Sequence, residues 1–154
     1  MTVLILALLI GIVAGLRAMI APAAVSWAAQ LGWLHLDGSW LAFLGYRFTP
    51  WIFSLAALAE LVTDQLPSTP SRKVPPQFIT RILMGGLCGG AIGASTGSLV
   101  AGVAAGAIGA VIGTLGGAAI RGKLAALFGS DRPAAFLEDA VAIIGAFLIV
   151  SAAA

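Results

Sequence analysis

Long apolar stretches separated by short polar loops make up most of the sequence. A bilayer has a hydrocarbon core of ~30 Å, which an apolar helix of about 20 residues crosses. Five stretches approach or reach that length, and they cover residues 2–21, 50–66, 77–96, 98–120 and 133–152. The pattern therefore predicts an all-α integral membrane protein with about five transmembrane helices, built as a single transmembrane domain over residues 1–154.

The first apolar stretch is too long for one straight span. It stays largely apolar to Leu34, and a helix from Thr2 to Leu34 would extend about 50 Å at ~1.5 Å per residue. Pro22 removes a backbone donor, and its ring clashes with the preceding turn. The sequence thus predicts a break near Pro22, followed by a second, shallower helix. Because the stretch lacks the basic start of a signal peptide, we expect it to be retained.

The composition excludes several classes of protein. The chain is 60% hydrophobic and only 9% charged, against roughly 25% charged in a typical soluble domain. A soluble enzyme, a disordered chain and a nucleic-acid-binding protein are therefore excluded. The lone cysteine, Cys88, lies in an apolar run, where a free cysteine packs as a small hydrophobe.

The basic residues predict the orientation in the membrane. Positively charged residues accumulate in short cytoplasmic loops. With five spans, one side carries Arg72, Lys73, Arg81, Arg121, Lys123 and Arg132, and the other carries Arg47. The N-terminus is therefore predicted to be cytoplasmic and the C-terminus external. The external loop also holds Trp33, Trp40, Tyr46 and Trp51, the kind of side chain that concentrates at the headgroup level.

Glycines spaced four residues apart mark the third and fourth stretches. Small residues at this spacing let helix backbones approach closely in a membrane. The helix-packing glycines predicted from this spacing are Gly85, Gly89, Gly93, Gly97, Gly109, Gly113 and Gly117. The pattern predicts a tight antiparallel hairpin. Since the glycines cover more than one helix face, it also predicts a homo-oligomer contact or a pore lined by backbone.

The candidate site residues are five charged residues that lie within or near the predicted spans: Arg17, Glu60, Asp64, Glu138 and Asp139. A charge at the bilayer centre costs about 2.5–3.5 kcal/mol even on lenient scales, so such residues usually have partners. The carboxylates are therefore expected to be protonated, neutralised by arginine, or bridged by a cation. Alternatively, the three carboxylates nearest the membrane surface simply reach water; these are Asp64, Glu138 and Asp139. We predict a substrate- or ion-binding site in which Glu60 faces Glu138. Asp64 and Asp139 are expected nearer the cytoplasm, and Arg17 is expected as a counter-charge on the outer side.

Motifs of enzymes and cofactor sites do not occur. The sequence contains no phosphate-binding P-loop, no His-x-x-x-His pair, no Ser/His/Asp set and no cysteine pair. We therefore expect no enzymatic activity and no cofactor, and the sequence leaves any metal site open. The lone His35 is interpreted as a polar residue at the membrane interface.

Three short motifs resemble a family of small bacterial inner-membrane proteins, the domain-of-unknown-function family 4126. They are Gly15-Leu16-Arg17-Ala18 followed by Pro22, Ala59-Glu60-Leu61-Val62-x-Asp64-x-x-Pro67, and Leu137-Glu138-Asp139. The resemblance extends over essentially the whole chain. It implies a location in the bacterial cytoplasmic membrane and brings no established activity.

Two functions follow as hypotheses. The first is a small oligomeric transporter or channel for a proton, a cation or a small cationic solute that uses the intramembrane carboxylates. The alternative is a structural scaffold or accessory subunit of a larger membrane complex, with its charges in fixed internal pairs. A membrane enzyme acting on lipids ranks last because no nucleophile and base are visible. The expected partners are the lipid bilayer, further copies of the chain and a small solute or cation.

Overall fold

The computed structural model describes residues 2–36, 40–63, 75–129 and 131–153. Within these ranges every regular element is helical, which confirms the predicted all-α class. The elements are α1 (Thr2–Leu16), α2 (Ile20–Gln30), a 3-10 helix (Trp40–Gly45), α3 (Thr49–Thr63), α4 (Pro75–Ala94), α5 (Leu99–Phe128) and α6 (Asp131–Ala153).

Two of these helices are long and apolar enough to cross a membrane by length and composition. They are Leu99–Phe128 in α5 and Pro133–Ala153 in α6. Shorter apolar helices cover Thr2–Leu16 and Thr49–Val62. The two long helices agree with the predicted membrane association. With 30 residues, α5 extends about 45 Å at ~1.5 Å per residue, eight residues beyond its predicted end at Ile120.

The break in the first apolar stretch lies earlier than the sequence predicts. Helix α1 ends at Leu16 and α2 begins at Ile20, so the break falls at residues 17–19 instead of near Pro22. Pro22 lies in the first turn of α2, where a backbone N–H has no partner within the helix and its loss costs little. The predicted position is therefore corrected, and the proline helps to begin a helix instead of ending one.

Helices α1, α4 and α5 pack together at their glycines. A Cβ added to Gly85 in α4 would lie 2.6 Å from the Cβ of Ala110 in α5, closer than side chains can approach. Gly89 and Gly102 meet in the same interface, and Gly93 lies against Ser98 and Gly102. The predicted antiparallel hairpin of α4 and α5 thus forms through backbone contact.

The second glycine face of α5 packs against α1. A Cβ on Gly109 would meet the carbonyl of Leu8, and one on Gly113 would meet the carbonyl of Ile12. Gly97 does not join either face, because it lies in the turn after α4 with a φ of +80°. The glycine faces that suggested an oligomer contact or a pore are thus occupied within one chain. The homo-oligomer itself stays a prediction.

Candidate functional site

Arg17 lies in the break between α1 and α2 and has an exposed fraction of 0%. Its Nε donates to Oδ1 of Asp139 at 2.6 Å, and its Nη1 donates to Oε1 of Glu138 at 3.2 Å. Nη2 also pairs with Asp139. Three of the five predicted site residues therefore form one buried cluster, which joins the α1–α2 break to the first half of α6.

Side chains from two other helices bind the backbone at this break. The last carbonyl groups of a helix have no partner within it. The carbonyl of Gly15 accepts a hydrogen bond from Nη1 of Arg81 at 2.8 Å, and one from Oγ1 of Thr114 at 3.4 Å. Nη1 of Arg17 donates to the carbonyl of Leu16 at 3.1 Å. The end of α1 is thus stabilised by polar groups from α4, α5 and the break itself.

A second arginine approaches the cluster from α5. Nη1 of Arg121 lies 3.9 Å from Oε2 of Glu138, and both side chains are largely buried. The two guanidinium groups and the two carboxylates balance in charge. Of the three ways to accommodate carboxylates in a membrane, the structure supports neutralisation by arginine for Glu138 and Asp139. These two residues are buried, which contradicts the alternative that they simply reach bulk water.

The other two predicted site residues are Glu60 and Asp64. Glu60 is half-buried on α3, a helix that packs mainly against α2 and the 3-10 helix. Its direct pairing with Glu138 stays a prediction. Asp64 lies outside the described residues.

Sequence reasoning missed the structural roles of Arg81 and Arg121, which it assigned to cytoplasmic loops. Both lie within helices, and Arg81 is only 4% exposed. A signal for both was present, because each continues a glycine stripe at four-residue spacing. Arg81 precedes Gly85 by one turn of α4, and Arg121 follows Gly117 by one turn of α5. A side chain on the extension of a packed face points toward the neighbouring helix.

A wide apolar groove lies between α2, α3 and α6. It has a volume of about 530 Å³. At one wall, Nε1 of Trp27 donates to Oγ of Ser54 at 2.9 Å, and the Trp27 ring contacts Trp51 edge to face at 5.1 Å between centroids. These contacts hold α2 against α3.

The described ranges contain no group of three or more His, Cys, Asp or Glu side chains placed to hold a metal ion. Comparison with protein-family models, with curated proteins and with solved structures finds no significant match to the chain. The resemblance to the domain-of-unknown-function family 4126 therefore stays a prediction.

Proposed function

We propose that this chain is a small transporter of the bacterial cytoplasmic membrane, with Arg17, Glu138 and Asp139 at its transport centre. The observation that carries the proposal is the fully buried guanidinium of Arg17, bound by two carboxylates at a helix break. Ionisable groups inside a membrane are costly and mark ion or proton pathways. Broken helices also form the binding sites of many transporters.

The proposed topology has five spans, with the N-terminus in the cytoplasm and the C-terminus outside. The uneven distribution of basic residues supports it, as do the large apolar side chains exposed on α3 and α6, among them Leu55 and Phe147. Reporters fused at residues 40 and 152 should both be active on the outer side. A cytoplasmic signal at either position would contradict this topology.

Displacement of Arg17 from its carboxylate partners provides a mechanism of transport. A proton or a cationic solute that binds Asp139 or Glu138 competes with Arg17 for the carboxylate. Since Arg17 lies at the break itself, its release frees α2 to move relative to α1. The glycine-packed α1, α4 and α5 would remain fixed during that movement because their backbones are in direct contact. Binding and a change of access would thus be coupled through one side chain.

A flux assay in liposomes tests the proposal. Protons, monovalent cations, divalent cations and small organic cations are offered in turn to reconstituted protein. We expect one of them to be transported by the unaltered chain, and we expect Asp139→Asn to reduce that flux at least tenfold. Lys123→Gln is the matched control, because Lys123 is exposed and its loss also removes one charge. Absence of flux for the whole panel, or full flux in Asp139→Asn, would refute the proposal.

One observation favours a scaffold as the second candidate function. Arg17, Glu138, Asp139 and Arg121 pair with one another, as fixed internal charges would. A scaffold should co-purify with a stoichiometric partner, whereas a transporter should not.

We also propose that the chain acts as a homo-oligomer, since five spans are few for alternating access. Cross-linking in native membranes measures this directly.

A further inference from the structure

Helix α2, the 3-10 helix and α3 are joined to one another by specific contacts. Nε1 of Trp27 on α2 donates to Oγ of Ser54 on α3 at 2.9 Å, and the Trp27 ring contacts Trp51 edge to face. The 3-10 helix packs against both α2 and α3, and its Phe43 carbonyl accepts a hydrogen bond from Oγ1 of Thr49 at 2.7 Å. These three elements therefore form one packed unit, which we call the α2–α3 unit.

The remaining helices, α1, α4, α5 and α6, form a second body. The first three meet through their glycine backbones, and α6 packs against α1 and α5. Within the described ranges, α3 has no extensive contact with any helix of this body, whereas α2 packs against α1, α4 and α6. The two bodies thus meet mainly along α2, a helix of only 11 residues.

The apolar groove between α2, α3 and α6 separates the two bodies. Ala57 and Leu58 of α3 lie in one wall, and Ala146 and Phe147 of α6 lie in the other. Its volume of about 530 Å³ is too small for a further helix, because a helix about 10 Å across occupies roughly 420 Å³ in a single turn. The residues described in its lining include no charged side chain. Closing the groove would therefore strip no ion of its solvent.

A single side chain controls the angle at which the α2–α3 unit leaves the second body. The break at residues 17–19 joins α1 to α2, and residues at the ends of elements commonly absorb the backbone rotation of a hinge. Arg17 lies at this break and binds Asp139 and Glu138 of α6. These ion pairs hold the hinge in the arrangement seen in the structure.

We propose that the α2–α3 unit rotates as one rigid piece about the break at residues 17–19, and that this rotation closes α3 onto α6 across the apolar groove. Loss of the contact between Arg17 and Asp139 releases the hinge. Ala57 and Ala146 on the two walls allow a close approach, since small residues favour helix contact in a membrane. This inference deepens the proposed transport function and takes from it only the event that breaks the Arg17 contact.

Distances between pairs of spin labels, measured by pulsed EPR on the full-length protein in lipid nanodiscs, test this proposal. Each label is attached to a cysteine that replaces an exposed apolar residue, in a Cys88→Ala background that removes the native thiol. Leu55→Cys with Leu148→Cys measures the distance between α3 and α6. Leu31→Cys with Leu55→Cys is the control within the α2–α3 unit, and Ile108→Cys with Leu148→Cys is the control within the second body.

We expect Asp139→Asn to shorten the distance from Leu55 to Leu148 by about 5 Å, close to one helical turn, and to leave both control distances unchanged. Lys123→Gln should change none of the three. Adding Trp27→Leu should abolish the shortening, because α3 then no longer follows α2. In the unaltered chain, the distance from Leu55 to Leu148 should be more broadly distributed than either control distance.

Three results would overturn the proposal. The first is an unchanged or longer distance from Leu55 to Leu148 in Asp139→Asn, and the second is an equal change within the α2–α3 unit. If Asp139→Asn does not fold, a distribution in the unaltered chain as narrow as the controls is the third. Flux measured on the same preparations separates this inference from the proposed function. A shortened distance without flux supports the moving unit and refutes transport, whereas flux with unchanged distances refutes the moving unit alone.

Discussion

Replacement of Arg17 by methionine is the most informative perturbation of this molecule. Methionine keeps a long, unbranched side chain but lacks a charge. The substitution therefore removes the guanidinium that binds Asp139 at 2.6 Å and Glu138 at 3.2 Å. Both carboxylates then remain in a buried region with one arginine fewer. Loss of one partner of a buried ion pair costs about 3–5 kcal/mol, a large part of the ~5–15 kcal/mol that stabilises a typical domain.

Reversible denaturant unfolding in mixed micelles, followed by tryptophan fluorescence, measures this loss. We expect Arg17→Met to lower the free energy of unfolding by about 3–5 kcal/mol. The exposed Lys123→Gln control should change it by less than ~0.5 kcal/mol. Asp139→Leu in the Arg17→Met background restores the charge balance, because Glu138 keeps Arg121. The double variant should therefore regain at least half of the lost stability.

Two results would show that Arg17 and Asp139 do not stabilise the protein as a buried ion pair. If Arg17→Met costs less than ~1 kcal/mol, the guanidinium is not a buried charge partner, since even a single net hydrogen bond contributes about that much. If the effects of Arg17→Met and Asp139→Leu simply add, the two side chains do not interact. Either result would remove the cluster on which the transport proposal depends.

Three further predictions concern the packing of the helices. Gly106→Ala should prevent folding or destabilise the protein severely, because its Cβ would lie 2.9 Å from the Cα of Gly89; the yield of folded protein after extraction measures this. Gly116→Ala is the matched control, with nothing within 4 Å of the added Cβ, and should raise the free energy of unfolding by up to ~1 kcal/mol. Trp27→Phe removes the hydrogen bond to Ser54 and should cost about 0.5–1.5 kcal/mol, with no further loss when Ser54→Ala is added to it.

The arrangement of apolar stretches was sufficient to predict the helical class and most of the helix positions. In a bilayer no water is available to the backbone groups of a long uncharged run, and a helix satisfies them within the run itself. The structure confirms helices over 49–63, 75–94 and 99–128, close to the predicted stretches. The same reasoning misplaced the break in the first stretch, because a proline in the first turn of a helix is tolerated and the sequence rule treated Pro22 as a terminator.

The glycine spacing predicted the hairpin of α4 and α5, but it did not identify α1 as the partner of the second glycine face of α5. Each stripe fits any helix that approaches closely enough, whether from the same chain or from another copy. The structure places α1 on the second face of α5, so the surplus that suggested an oligomer contact is used inside one chain. Partner choice depends on loop lengths and on the whole bundle, neither of which is contained in a four-residue spacing.

For the charged site, the sequence by itself determined which residues are costly in a membrane and therefore need partners: Arg17, Glu60, Asp64, Glu138 and Asp139. Only the tertiary structure decided which of them pair. Arg17 binds the carboxylates of Glu138 and Asp139 on α6, and Arg121 approaches Glu138 from α5. These pairs join residues more than a hundred positions apart or on separate helices, and such contacts exist only once helix packing has set the distances between side chains.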